Sequence, residues 1–136
     1  MERIDIHATV FAPINKVWDY YTEAKHITNW NFASDDWTCP SATNQLIVGG
    51  KYSARMEAKD GSFGFDFEGI YDEVVIGEKF DLTFMDNRKM TVVFSENENN
   101  TGVQISFEPE TENPIELQRE GWQMILNNFK KYTESN

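Results

Sequence analysis

Gln118 stands in the middle of an apolar stripe near the C-terminus, where an amide needs an explanation. A buried amide without partners costs about 1–3 kcal/mol. Gln118 therefore either orients the polar end of a ligand or bonds a strand carbonyl or a buried water. Trp30 and Trp37 raise a similar alternative. Their indole N–H groups would either serve a ligand at a cavity mouth or belong to rings that plug the core. Tyr52, Met56, Phe65, Phe67, Phe84, Trp122 and Ile125 share the inward faces of strands and helix. Those rings would wall a space suited to an apolar or amphipathic small molecule. The remaining reactive residues carry less. His7 and His26 lack metal-ligand spacing, so no metal is expected. Cys39 would need a nearby base or cation to become a nucleophile, and only His26 is near in sequence. Arg55, set against Asp66 or Glu68, is either an anion anchor or a solvated cross-strand pair worth little. Gly49-Gly50 leads into a strand, which excludes a phosphate loop. No catalytic set and no cofactor site is assigned.

The elements that must position these residues follow from patterning. The 136 residues fit a single domain, 1–136. Aromatics make up 14% and the net charge is -11. The rings argue against disorder, and the acidity argues against nucleic acid and anionic membrane as partners. One cysteine allows no internal disulfide. No apolar leader is visible between Met1 and Val10 and no membrane span anywhere, so the cytoplasm is the expected location.

Residues 3–11 alternate as a half-buried strand, and Pro13 is suited to open a short helix over 13–21. A second short helix is expected from about Glu23 to Asn29. Trp30 to Gly50 reads as a long irregular aromatic loop. Five strands follow. The first two are joined at Asp60-Gly61, with Ala54 or Met56 facing a Phe, and Gly69 suggests a bulge or bend. The others lie at about 79–85, 90–95 and 102–108. Asn113, Pro114 and Glu116 read as cap, first turn and capping-box partner of a helix of roughly twenty residues. Gly121 on that helix would let it approach the sheet closely. The sum is an α+β fold in which a curved antiparallel sheet of about six strands is covered by the C-terminal helix. Curvature would leave a cavity at one end.

Several stretches sharpen this picture. Ala12-Pro13 with Lys16-Val17-Trp18, His26 to Trp30, Trp37 to Pro40 and Gly49 to Tyr52 occur in order. So do Arg55 to Ser62, Gly64 to Gly69, and Gln118 to Trp122 followed by Ile125-Leu126 and Phe129. Together they resemble the START-like (SRPBCC) superfamily, which includes polyketide cyclases and lipid-transfer domains. The chain looks like the bacterial branch related to the activator of the heat-shock-protein-90 ATPase. The resemblance implies the helix-grip fold, with two short helices after the first strand and a hydrophobic cavity under the last helix. It implies no particular reaction, because fold does not fix function. Three roles stay open: a holder of a hydrophobic small molecule, a small cyclase or lyase, or a chaperone-interaction module. A homodimer through a sheet edge or the aromatic loop is compatible with the pattern.

Overall fold

A computed structural model describes residues 2–136; Met1, counted in the reading of the N-terminus, lies outside the described residues. The chain runs β1 (Ile4–Val10), α1 (Ile14–Thr22), α2 (Ala24–Ile27), β2 (Trp37–Asn44), β3 (Lys51–Ala58), β4 (Gly64–Val75), β5 (Lys79–Phe84), β6 (Lys89–Glu96), β7 (Thr101–Phe107) and α3 (Ile115–Ser135). All strands join one antiparallel sheet in the order β1-β7-β6-β5-β4-β3-β2. The sheet curls as a half-barrel and α3 packs into its hollow, which is the helix-grip arrangement.

Alternation explains the strands. On β1, Ile4, Ile6, Ala8 and Val10 are buried, while Asp5 and His7 face water. On β5, Phe80, Leu82 and Phe84 point inward, and on β6 Met90, Val92 and Phe94 do the same. The β3–β4 register places Ala54 opposite Phe67, Met56 opposite Phe65 and Arg55 opposite Asp66, as parity requires. The register slips between Tyr71 and Glu73, a bulge just beyond Gly69. Gly69 itself permits a close approach: a Cβ there would stand 2.8 Å from Leu82 Cγ. Arg55 pairs with Glu57 at 2.8 Å and Asp66 at 3.4 Å on the outer face. Glu68 instead takes Lys51 and the Ser53 hydroxyl. The arginine is therefore a solvated pair rather than an anchor inside the fold.

Three expectations need correction. The stretch 30–50 is not wholly a loop, because it contains β2, which makes seven strands rather than six. Pro40 and the bulge between Thr38 and Ser41 break the alternation that would have revealed it. A proline is tolerated here because β2 is an edge strand with a free hydrogen-bonding side. The second correction concerns the start of α3. Pro114 is the cap residue, no side chain caps it, and Ile115 is the first helical residue. Asn113 is occupied with Glu110, whose carboxylate accepts from the Asn113 backbone amide at 2.6 Å and its side-chain amide at 3.0 Å. Glu116 pairs with Arg119 and does not reach back to Asn113.

Gly121 gives the third correction. A Cβ built on it meets nothing within 4 Å, so the glycine does not serve close helix–sheet packing. Gly121→Ala should therefore stabilise the protein by about 0.5–1 kcal/mol through helix propensity alone. Urea unfolding would read this as a higher midpoint at unchanged slope; a lower midpoint would reveal a steric role that the geometry does not show.

Candidate functional site

The backbone of α3 runs closest to β1 and stands off from β3 and β4. A straight helix cannot follow a curled sheet along its whole width, so side chains must fill the widening gap. They fill it incompletely. A cavity of about 160 Å3 remains, lined by Tyr21 of α1, Trp30 and Asn31 after α2, Tyr52 and Met56 of β3, and Phe65 and Phe67 of β4. Phe80 and Leu82 of β5, Met90 of β6 and Ile105 of β7 form the floor, and Trp122, Ile125 and Leu126 of α3 form the roof. Phe65 is 41% exposed and marks the outer end. Tyr21, Trp30 and Tyr52, all buried, mark the inner one.

Of the residues selected from sequence, Trp30, Tyr52, Met56, Phe65, Phe67, Trp122 and Ile125 meet around this space. Trp37, Phe84 and Gln118 do not border it. Trp37 opens β2 and packs edge-on against Phe63 and Phe65 at the exposed tip of the β3–β4 hairpin. Phe84 is buried one layer further, its ring against Phe67 and Trp122. Trp122 itself lies flat on Phe107, ring centroids 3.8 Å apart. The Trp30 indole N–H is already spent on the Tyr20 carbonyl at 2.9 Å, so it is not free for a guest.

Gln118 is fully used elsewhere. Its Oε1 accepts from the Glu110 amide at 2.9 Å. Its Nε2 donates to the carbonyls of Glu110 at 3.1 Å and Asn113 at 2.9 Å. The side chain clamps the turn before α3, the role that a side-chain cap would otherwise have filled. Of the two sequence alternatives the ligand is not the one seen, but the backbone groups it bonds lie in the turn before α3 rather than in a strand.

Reasoning from sequence missed the polar residues at the inner end. Tyr21 falls on the apolar face of α1 and reads as core alone. Its pKa is raised by burial and then by Tyr71 nearby. That of Tyr52 is raised well above the ordinary value by burial, with Tyr21, Tyr71 and Cys39 adding to it. Asn31 Nδ2 donates to Tyr52 Oη at a long 3.5 Å. Tyr71, whose pKa is pushed up to about 12 by burial, gives its proton to Asn44 Oδ1 at 2.7 Å. Asn44 in turn donates to the Thr22 carbonyl at 2.7 Å, tying β2 to α1. Asn128 on α3 donates to the Trp30 carbonyl at 2.9 Å and so holds the segment that carries Asn31. The signal for Asn31 and Asn128 was an amide adjoining an apolar stripe, the same signal that drew attention to Gln118.

Among the described residues no carboxylate, histidine, lysine or arginine borders the cavity. Burial pushes the Cys39 thiol up, and its hydrogen-bonding neighbours are Asn31 and Ser41, neither of them a base. His26 lies outside the cavity, stacked on Tyr20 at 3.9 Å and 2.8 Å from Tyr132 Oη. Among the described residues no group of His, Cys, Asp and Glu could hold a metal ion. Among the described residues no helix is long and apolar enough to cross a membrane.

A family model described as Activator of Hsp90 ATPase homolog 1-like protein matches residues 11–134. A solution structure of an AHSA1-like protein from Aeromonas hydrophila is 38% identical with a TM-score of 0.92, covering 98% of this chain and 92% of that one. A protein from Cytophaga hutchinsonii, also solved in solution, is 47% identical with a TM-score of 0.85, covering 98% and 93%. A crystal structure of a protein from Chromobacterium violaceum, at 22% identity and a TM-score of 0.88 over the full length of both chains, shares the fold. No curated protein matches the chain.

Proposed function

The chain belongs to the family of Activator of Hsp90 ATPase homolog 1-like proteins, and from that premise we propose that it binds a small apolar molecule between the sheet and α3. The observation that carries this reading is the cavity itself, walled mainly by rings and aliphatic side chains and, among the described residues, bordered by no charge. Its volume sets a bound. Apolar cavities of about 150 Å3 hold a benzene-sized guest, whereas drug-sized ligands occupy roughly 300 Å3 or more. A single ring fits the space of about 160 Å3, and a fused-ring polyketide or a full acyl chain does not fit without expansion.

The cyclase or lyase reading is weaker on the same geometry. Proton transfer near neutral pH needs a group whose pKa lies near the working pH. The titratable side chains at the cavity are two phenols, both shifted upward by burial. They are suited to donate hydrogen bonds, not to act as bases. An interaction module would draw on the exposed rings of Phe63 and Phe65, which cluster with Trp37 outside the cavity mouth.

Titration with toluene, followed by methyl and ring NMR signals, tests the binding reading. Shifts should concentrate on Met56, Leu82, Met90, Ile105, Ile125 and Leu126. Toluene that leaves these signals unmoved, or moves surface residues alone, would refute it.

A further inference from the structure

Two phenols at the inner end of the cavity have hydrogen-bonding capacity that the fold leaves unspent. Tyr21 is only 8% exposed, and burial and the nearby Tyr71, with no hydrogen bond among the causes, raise its pKa. Among the described residues the one sealed side-chain polar atom without a partner is Thr133 Oγ1. The Tyr21 hydroxyl is not in that condition, and its residue borders the cavity. Tyr52, equally buried, accepts a long bond from Asn31 and donates none. Tyr71 shows the contrast, since its hydroxyl is spent on Asn44 and its side chain does not border the cavity. Two tyrosines whose hydroxyl protons are not spent on Asn44 as that of Tyr71 is therefore line the same small apolar space.

Such an arrangement selects among guests by chemistry. Buried donors left unpaired are costly, so a guest that brings an acceptor gains over one that does not. One carbonyl oxygen has two lone pairs and can take both protons. A carboxylate would gain the same bonds but would leave water with no cation to meet it, and an unpaired buried charge is heavily penalised. Burial also holds both phenols protonated, so they remain donors through the physiological range.

We propose that the ligand is an uncharged, single-ring compound whose leading end is a carbonyl-type oxygen, received by the hydroxyls of Tyr21 and Tyr52. This rests on the binding reading above and narrows it to a ligand class. Ionised acids and plain hydrocarbons are then the disfavoured guests.

Three probes of one shape separate the two claims: acetophenone, α-methylstyrene (a methylene in place of the carbonyl oxygen) and benzoate. Dissociation constants are measured by NMR titration on the full chain, on Tyr21→Phe, on Tyr52→Phe and on the double variant. Thermal melts check that each variant folds. The proposal expects acetophenone to bind about tenfold more tightly than α-methylstyrene, the effect of one to two net hydrogen bonds. That preference should shrink in each single variant and vanish in the double one. Benzoate should bind at least about a hundredfold more weakly than acetophenone. Equal affinity for ketone and hydrocarbon, or a preference that survives the double variant, overturns the donor assignment while apolar binding stands. Benzoate as tight as acetophenone overturns the uncharged-ligand claim. If α-methylstyrene and acetophenone both fail to bind, the binding reading itself falls and this inference falls with it.

Discussion

Phe129→Ala is expected to cost about 3–5 kcal/mol of stability. Phe129 is fully buried on α3 and meets Tyr21 and Trp30 edge-on, each at a centroid distance of 5.0 Å. It is the point where the long helix, α1 and the segment after α2 touch the same side chain. Truncation removes the transfer free energy of the ring and leaves a void that three separate elements would have to move together to close. For a domain of this size the loss corresponds to a fall in Tm on the order of 10 °C or more. Calorimetry or chemical denaturation would read it directly. Phe63→Ala is the comparison, because Phe63 is 59% exposed at the hairpin tip and should cost under about 1 kcal/mol. Similar losses in the two variants would mean that burial at the α3–α1 junction is not what holds the helix in place.

Gln118→Leu is expected to destabilise by about 2–3 kcal/mol although leucine is the more apolar residue. The exchange leaves the Glu110 amide and the carbonyls of Glu110 and Asn113 without the partner each now has. Amide exchange at Glu110 should accelerate more than exchange at the middle of α3, because the defect lies in the turn before the helix. Gln118→Glu separates donation from acceptance. The introduced carboxylate, when ionised, could still accept from the Glu110 amide, but it would turn an oxygen toward two carbonyls. Its carboxyl would therefore be held above the usual range in the folded state. Stability from such a group is present below its unfolded pKa and is lost as pH rises through the folded value. The variant should accordingly lie closer to the parent at about pH 4 than at pH 7. An equal deficit at both pH values would refute donation by Gln118 as the stabilising interaction.

These residues also show why some of the site was legible in sequence and some was not. Period-two alternation put Phe80, Leu82, Phe84, Met90, Val92 and Phe94 on one face because a one-sided sheet obliges it. Helical period did the same for Leu126 and Phe129. Both signals are local. The cavity is not local: it arises from a straight helix set against a curled sheet, and no window of sequence contains that mismatch. Trp37 was selected for being a ring on a long stretch, yet whether it reaches the cavity depends on the bulge at Cys39-Pro40, which redirects the strand. Gln118 was singled out correctly as an amide in an apolar stripe, but its partners lie in the irregular turn 108–114, where no periodicity guides prediction. Tyr21 was hidden for the opposite reason. Its ring satisfies the apolar pattern of α1 so well that its hydroxyl drew no notice.

The sheet order has a kinetic consequence. β3 to β7 are joined in sequence order by short turns and can zip up one hairpin at a time. β1 and β2 are consecutive in the chain yet occupy opposite edges of the sheet. β1 must find β7 across nearly the whole chain, Ile4 opposite Phe107, before it gains a single ladder bond. Closing so long a loop is entropically expensive, and topologies rich in distant pairings fold slowly. The meander of β2 to β7 is thus expected to form before β1 docks. The N-terminal strand, with α1 and α2 slung between the two sheet edges, is the late-docking strap that closes the grip.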